Sequence, residues 1–410
     1  MPDNRPVANG ERVLADLNAL RAIGTYKTGI HKPTFSKPHL ASLHWLVDRL
    51  PEAGLTGTID GIGNVIATSQ RSGPKLLAGS HLESQSYAGW LDGPLGVVYA
   101  LEAARVINSD PSRQGTVEVA AWCDEEGHFG HFLGSRSYVG RVSEADIDAA
   151  RDRTNGRSMR EALRDAGLAG QARVMAEPGR HIGYLEAHIE QGDRLESSGL
   201  AIGVVTSIVG IWQYRISFAG EQNHAGTTRM GARKDAGLAL ARFCVAIDER
   251  FPALSGPRTV WTTGRITLDP GALSIIPGAA EMLFQIRDDD LAVIARLETR
   301  LRTMAGEATA SGPCSVTLDR LRTGTPAMMD PRFQSAIEAA SKVFAGARSV
   351  RMPSGAGHDA QVLATIMPAG MLFVPSIGGI SHHWTENTAD ADIVTGAQVF
   401  VEACLTLLGQ

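Results

Sequence analysis

The 410-residue chain is predicted to be α/β, with a smaller α+β domain inserted into the larger one. Three observations point there. Short apolar runs alternate with helical patterns up to about residue 210. Residues 211–325 then change to strand–helix–strand–strand–helix–strand, a ferredoxin-like order. From about residue 326 the first pattern resumes. Residues 1–210 and 326–410 are thereby assigned to one domain and 211–325 to the insert, and a chain of this length has room for both cores.

Residues 12–50 read as helical, with a break over 24–38, which is rich in Gly, Thr, Lys and Pro. Residues 57–67 alternate and turn as a hairpin does. Residues 75–80 form an apolar run that stops where His81 begins; presenting a side chain at the C-terminal end of a strand is the usual arrangement in open α/β sheets. Residues 94–107 read as a buried helix, with Pro94 in the first turn, where its missing N–H costs nothing. Residues 116–122 form a strand that leads into Asp124-Glu125-Glu126. In the insert, strands are expected at 212–220, 259–267, 280–287 and 315–322, and helices at 232–250 and 291–308. A helix at 331–344 and a strand at 371–374 belong to the resumed domain. No internal repeat or low-complexity tract interrupts the pattern.

Composition removes several classes of function. A net charge of -5 suits neither nucleic acid nor an anionic membrane surface. The first residues lack a signal-peptide core, and no run of eighteen apolar residues occurs. Cys123, Cys244, Cys314 and Cys404 lie far apart without a C-x-x-C pair. They are expected to be structural thiols of a cytoplasmic protein.

Chemistry is concentrated in four fragments. His81 and Asp92 stand eleven residues apart; Asp124-Glu125-Glu126-Gly127 follows; then come Glu186-Ala187-His188-Ile189-Glu190-Gln191-Gly192 and Ser381-His382-His383-Trp384-Thr385-Glu386. Scattered His and carboxylate donors of this kind suit a pair of divalent cations, which need nitrogen and oxygen ligands from several loops. On an extended segment Glu125 and Glu126 point in opposite directions, so one can bind metal while the other faces the attacking water. The alternative is a pair of solvated acids. Asp92 either bridges two cations or caps a helix. His188 and His382 are either ligands or structural histidines. His224, in the insert, is a candidate donor to a developing oxyanion or a plain turn histidine. Arg287 suits bidentate capture of a carboxylate, or an ion pair with Asp288.

With Asn223-His224-Ala225-Gly226-Thr227-Thr228, Ser354-Gly355-Ala356-Gly357-His358-Asp359-Ala360 and Gly379-Ile380-Ser381-His382, these fragments resemble the hydantoinase/carbamoylase amidase family. That family is a branch of the aminoacylase-like dinuclear metallohydrolases. The resemblance implies two divalent cations per subunit, Zn or Mn, with Co or Ni as alternatives. His81 and His188 would bind one, Glu126 and His382 the other, with Asp92 bridging and Glu125 as general base. The insert would be a lid and homodimer interface, with His224 reaching the partner's site. Gln191, Gln213, Asn223, Ser274, Arg287, Gly357 and His358 would line the pocket of a small substrate bearing a carboxylate.

The implied reaction is hydrolysis of a linear C–N bond in an N-carbamoyl or related N-substituted amino acid. A deacylase or dipeptidase would use the same metals, whereas a non-catalytic binder would have no need of Glu125. The chain departs from the family at Glu83, where Asp is usual, giving a longer arm for orienting His81. It departs also at Ile211-Trp212-Gln213, at Arg229 and at Ser274, ahead of Ile275-Ile276-Pro277-Gly278. Trp212 is either a pocket wall or core of the insert.

Overall fold

A computed structural model describes residues 6–409. In chain order its main strands are β1 (Thr56–Ile59), β2 (Val65–Thr68), β3 (Lys75–His81), β4 (Thr116–Trp122), β5 (Tyr184–Ile189), β6 (Ile202–Ile208) and β7 (Gly210–Ala219). They continue with β8 (Val260–Asp269), β9 (Ala279–Asp288), β10 (Ser315–Thr323), β11 (Ala327–Met328), β12 (Ser349–Ser354) and β13 (Ala369–Val374). The longer helices are α1 (Gly10–Ala22), α2 (Lys37–Arg49), α3 (Pro94–Asn108), α4 (Ala236–Arg250), α5 (Leu291–Ser311), α6 (Pro331–Phe344) and α7 (Asp390–Leu407). The chain divides into two compact units. The first runs to Thr206 and includes Met328–Ser354 and the chain from His358; the second is Ser207–Ala327 with Gly355–Gly357.

In the first unit the strand order is β11–β6–β13–β5–β3–β4–β2–β1, with β12 also on β6. Its centre is parallel: β4 pairs β3, β3 pairs β5 and β5 pairs β13, all in one direction. Such strands are covered on both faces and so read as continuous apolar runs; β4 and β5 are buried at every position. The helix α3 is buried over Pro94–Ile107 and packs on β3, β4 and β5. Leu95, Val98, Leu101 and Ile107 join Leu185, Leu372, Val399 and Phe400 in its core.

The second unit is an antiparallel sheet of order β8–β9–β7–β10 with α4 and α5 packed against it. Alternate residues of β9 are buried, and Met282, Phe284 and Ile286 meet Phe243, Leu297 and Leu301. Trp212 belongs to this core, with the Arg320 guanidinium 4.3 Å from its ring centroid, so it is packing and not a pocket wall. The helix expected from 232 begins at Ala236, because the Asp235 side chain accepts from Leu238 N–H and caps it there. No helix among the described residues is long and apolar enough to cross a membrane. The four cysteines are free, and three of them are buried.

Candidate metal centre

Four parallel strands deliver the polar cluster at their C-terminal ends. The strand β3 ends on His81, β4 runs into the turn holding Glu125 and Glu126, β5 carries His188, and β13 leads to the loop of Ser381 and His382. Asp92 stands just before α3. Gly93 caps that helix without a side-chain hydrogen bond, so Asp92 is not the helix cap. A Cβ on Gly93 would come within 2.5 Å of the His81 ring, and its φ of 90° suits glycine alone. The missing side chain lets the Asp92 loop approach the His81 ring this closely.

Distances define two groups of donors that share Asp92. Asp92 Oδ1 is 3.1 Å from His188 Nε2 and 3.6 Å from His81 Nε2. Asp92 Oδ2 is 3.3 Å from His382 Nε2, which lies 3.6 Å from Glu126 Oε2. Within each triad, His81–Asp92–His188 and Asp92–Glu126–His382, the donor atoms lie within 4.8 Å of one another.

The tautomers make the test sharper. His81 Nδ1 meets the Glu83 carbonyl at 3.1 Å, and His188 Nδ1 meets the Ile189 carbonyl at 2.9 Å. Each Nδ1 therefore carries the proton, and each Nε2 turns a lone pair toward a carboxylate. Lone pair against lone pair is repulsive unless a cation lies between them. The residues present fit a pair of divalent metals.

Electrostatics agree. Burial opposes ionisation of Asp92, but the surrounding His188, His382 and His81 rings hold its carboxyl well below the usual range. Burial, with the charges of Glu126, Asp359 and Asp92, pushes Glu125 well above it. Burial and Asp92 raise Glu126, and the Asp92 hydrogen bond lifts His382 to about 9. Positive charge placed among these acids relieves that strain.

Two expectations need correction. Glu125 and Glu126 do not lie on an extended segment: Asp124 has φ of 60°, and Gly127 N–H bonds to the Asp124 carbonyl across a turn. Both carboxylates consequently converge on the cluster, Glu125 Oε2 lying 3.8 Å from His81 Nε2. Nor does the longer arm of Glu83 orient His81. The extra methylene carries the carboxylate past the imidazole, leaving Oε1 3.7 Å from Nδ1, and it accepts from Glu125 N–H at 2.6 Å instead.

Gln191 places its amide 3.1 Å from Asp92 Oδ2 and 3.2 Å from Ser381 Oγ. His358 is buried, with its ring edge-on to His188 at 4.6 Å and its Nε2 on Ser354 Oγ. The other candidates lie in the second unit. There the exposed His224 accepts at Nδ1 from Gly226 and Thr227 N–H, which leaves the proton on Nε2. Asn223 Oδ1 accepts from His224 N–H, and the Ser274 carbonyl from Ala225 N–H. Gln213 faces Gln285 across the β7–β9 pair. Arg287 donates to the Gly355 carbonyl at 2.9 Å, next but one to Gly357, and has no carboxylate partner among the described residues. Asp288 instead accepts from Thr259, so the Arg287–Asp288 pair does not form.

Supporting residues escaped the sequence reading. Glu386 accepts from Leu91 and Asp92 N–H and from Ser381 Oγ, tying the Asp92 loop to the His382 loop. Glu186 accepts from Ser80 Oγ and Ala360 N–H beneath the site. The available signal was an acid at a fixed short distance from a ligand histidine, four residues after His382 or two before His188.

Known proteins resemble this chain over nearly its whole length. The family model described as peptidase family M20/M25/M40 matches residues 78–406. An N-carbamoyl-L-amino-acid amidohydrolase of Paenarthrobacter aurescens is 33% identical over 409 residues, covering 98% of both chains. An allantoate amidohydrolase of Escherichia coli is 31% identical, covering 90% of this chain and 91% of its own. The crystal structure of an amidase of the hydantoinase/carbamoylase family from Burkholderia phymatum superposes with a TM-score of 0.90 at 42% identity, covering 99% of each chain. The chain belongs to peptidase family M20/M25/M40 and, within it, to the hydantoinase/carbamoylase amidases.

Proposed function

We propose that this chain hydrolyses a linear C–N bond of an N-carbamoyl amino acid or a related ureide. The observation that carries the reading is the pair of His–carboxylate triads sharing Asp92, with Glu125 placed beside them. His81 and His188 would hold one divalent cation, Glu126 and His382 the other, with Asp92 common to both. The mixed N/O donor set accepts Zn or Mn, with Co or Ni as alternatives, and availability decides among them. Bound there, the metals supply Lewis acidity at the scissile carbonyl and ease deprotonation of a water.

The chain's own residues do the rest. Glu125 takes a proton from the attacking water and returns it to the leaving amino-acid nitrogen as the C–N bond breaks. With a carbamoyl substrate, the carbamic acid released decomposes to CO2 and ammonia. The protonated Nε2 of His224 serves the oxyanion, while the Arg287 guanidinium, free of carboxylates, takes that of the substrate. Gln191, Gln213, Asn223, Ser274, Gly357 and His358 complete the pocket in this reading.

The second unit acts as a ferredoxin-like lid and dimerisation domain, its boundaries close to 211–325. Its strand order supports the ferredoxin-like fold. An exposed β8 edge bearing Val260, Ile266 and Leu268, with Val245 exposed on α4, supports the dimerisation role. In such a homodimer His224 serves the partner's site. The four free thiols support a reducing cytoplasm.

The test is amine and ammonia release by metal-reconstituted protein. Substrates are N-carbamoyl-L-amino acids, allantoate, ureidopropionate and N-acyl amino acids. Amine with ammonia is expected; amine alone would move the chain to a deacylase or dipeptidase.

A further inference from the structure

Glu126 is gripped by a residue that supplies no metal ligand. Gln85, in the loop between His81 and Asp92, presents its backbone N–H 3.2 Å from Glu126 Oε1 and its side-chain amide 2.6 Å from Oε2. The same amide also reaches the Glu126 carbonyl at 3.2 Å. Behind it, the exposed Arg153 donates from Nη1 to the Glu126 carbonyl at 3.1 Å and from Nη2 to Gln85 Oε1. A guanidinium has donors only, so Arg153 requires the amide oxygen on its own side and leaves the NH2 for Glu126. The network thus fixes which way Gln85 points.

The oxygen that takes this amide is also the one 3.6 Å from His382 Nε2. A carboxylate oxygen has two lone pairs; with one on Gln85, the other is aimed at the cation position. That position is the wetter of the two, since the His382 side chain is 50% exposed whereas those of His81, Asp92 and His188 are at most 3% exposed. Its affinity therefore depends on Glu126 being placed in advance. Gln85 is also a neutral spacer: without it, Arg153 is a rival cation for the Glu126 carboxylate.

We infer that the Gln85–Arg153 clamp is a positioning device for Glu126 that sets the affinity of the Asp92–Glu126–His382 cation position and leaves the His81–Asp92–His188 position unchanged. The inference rests on the two-cation reading above. Metal-free protein is titrated with Zn2+ or Mn2+ against a chromophoric chelator, and bound metal is counted by mass spectrometry. Wild type should take up two cations. Gln85→Leu should weaken one binding event about 10–100-fold, as removal of an outer partner of a metal ligand typically does, and leave the other within a factor of about two. Arg153→Leu should weaken the same event by less, and the double variant should lose less than the sum of the two, because Arg153 reaches the Glu126 carboxylate through Gln85 and otherwise touches only the Glu126 carbonyl. Thermal melting of the metal-free proteins separates misfolding from loss of the clamp. Should Gln85→Leu not fold, the selective loss in Arg153→Leu carries the test, since that side chain is exposed. Equal weakening of both events, no weakening, or additive effects would overturn the clamp. A wild type that binds one cation would overturn the two-cation reading, and the clamp with it.

Discussion

Replacing Glu118 by Gln should destabilise the strand that delivers Glu125 and Glu126, and the loss should fade in acid. Glu118 is buried in β4, where it accepts from Arg180 Nη2 at 2.9 Å, from Ser69 N–H at 2.8 Å and meets His181 Nε2 at 2.9 Å. Burial works against its charge, but His181 and Arg180 outweigh it and bring the carboxyl down from 4.5 to about 2. A difference of roughly 2.5 units corresponds to about 3.4 kcal/mol. That figure is a ceiling, because Arg180 keeps a quarter of its side chain in solvent. The folded value lies below the unfolded one, so the stabilisation is complete above about pH 4.5 and is lost as pH falls toward 2. By pH 3.5 about 1.4 kcal/mol of it has gone. Urea unfolding of wild type and Glu118→Gln, with chelator present to remove metal linkage, measures this. The gap between the two proteins should narrow by about 1.4 kcal/mol from pH 7 to pH 3.5. A gap that is constant with pH, or absent at pH 7, would refute the argument.

Glu125→Gln should retain both metals and lose about 10²–10⁴-fold in kcat; near-normal turnover by metal-loaded variant would remove Glu125 from the role of base. His224→Ala should lower kcat by about 10²–10³-fold at unchanged metal content. Mixed with Glu125→Gln subunits it should regain part of the activity, and no recovery after proven subunit exchange would place His224 in its own subunit's site. Gly93→Ala drives a Cβ into the His81 ring and strains a φ of 90°; it should cost about 1–3 kcal/mol in a melting experiment and reduce bound metal. Wild-type melting and full metal in the Gly93→Ala variant would show that the loop yields.

The parallel-strand frame was legible because its code is local: an apolar run followed at once by His81, or by Asp124-Glu125-Glu126, marks a strand and what it presents. The same holds for α3, whose Pro94 lies in the first turn and whose apolar residues run all round. What was not legible depends on where side chains meet. Whether Glu83 reaches His81 or the Glu125 backbone turns on one methylene and on the left-handed Asp124, neither of which leaves a period in the sequence. Gln85 and Glu386 are ordinary loop residues until the fold brings residues 41 and 294 positions away against them. Trp212 was ambiguous for the same reason, since strand alternation does not say which face is covered.

The strand β13 lies between β6 and β5 in the sheet, although it is made after both and after the whole intervening second unit. A chain emerging from the ribosome must therefore keep a slot open in the middle of its first unit while more than a hundred further residues are synthesised. During that interval β5 and β6 each expose an unpaired edge, the kind of surface that recruits chaperones or other nascent chains. The closing strand brings His382 with it. Catalytic competence and protection from aggregation thus arrive in the same late event, and a truncation that removes only the final forty-odd residues forfeits both.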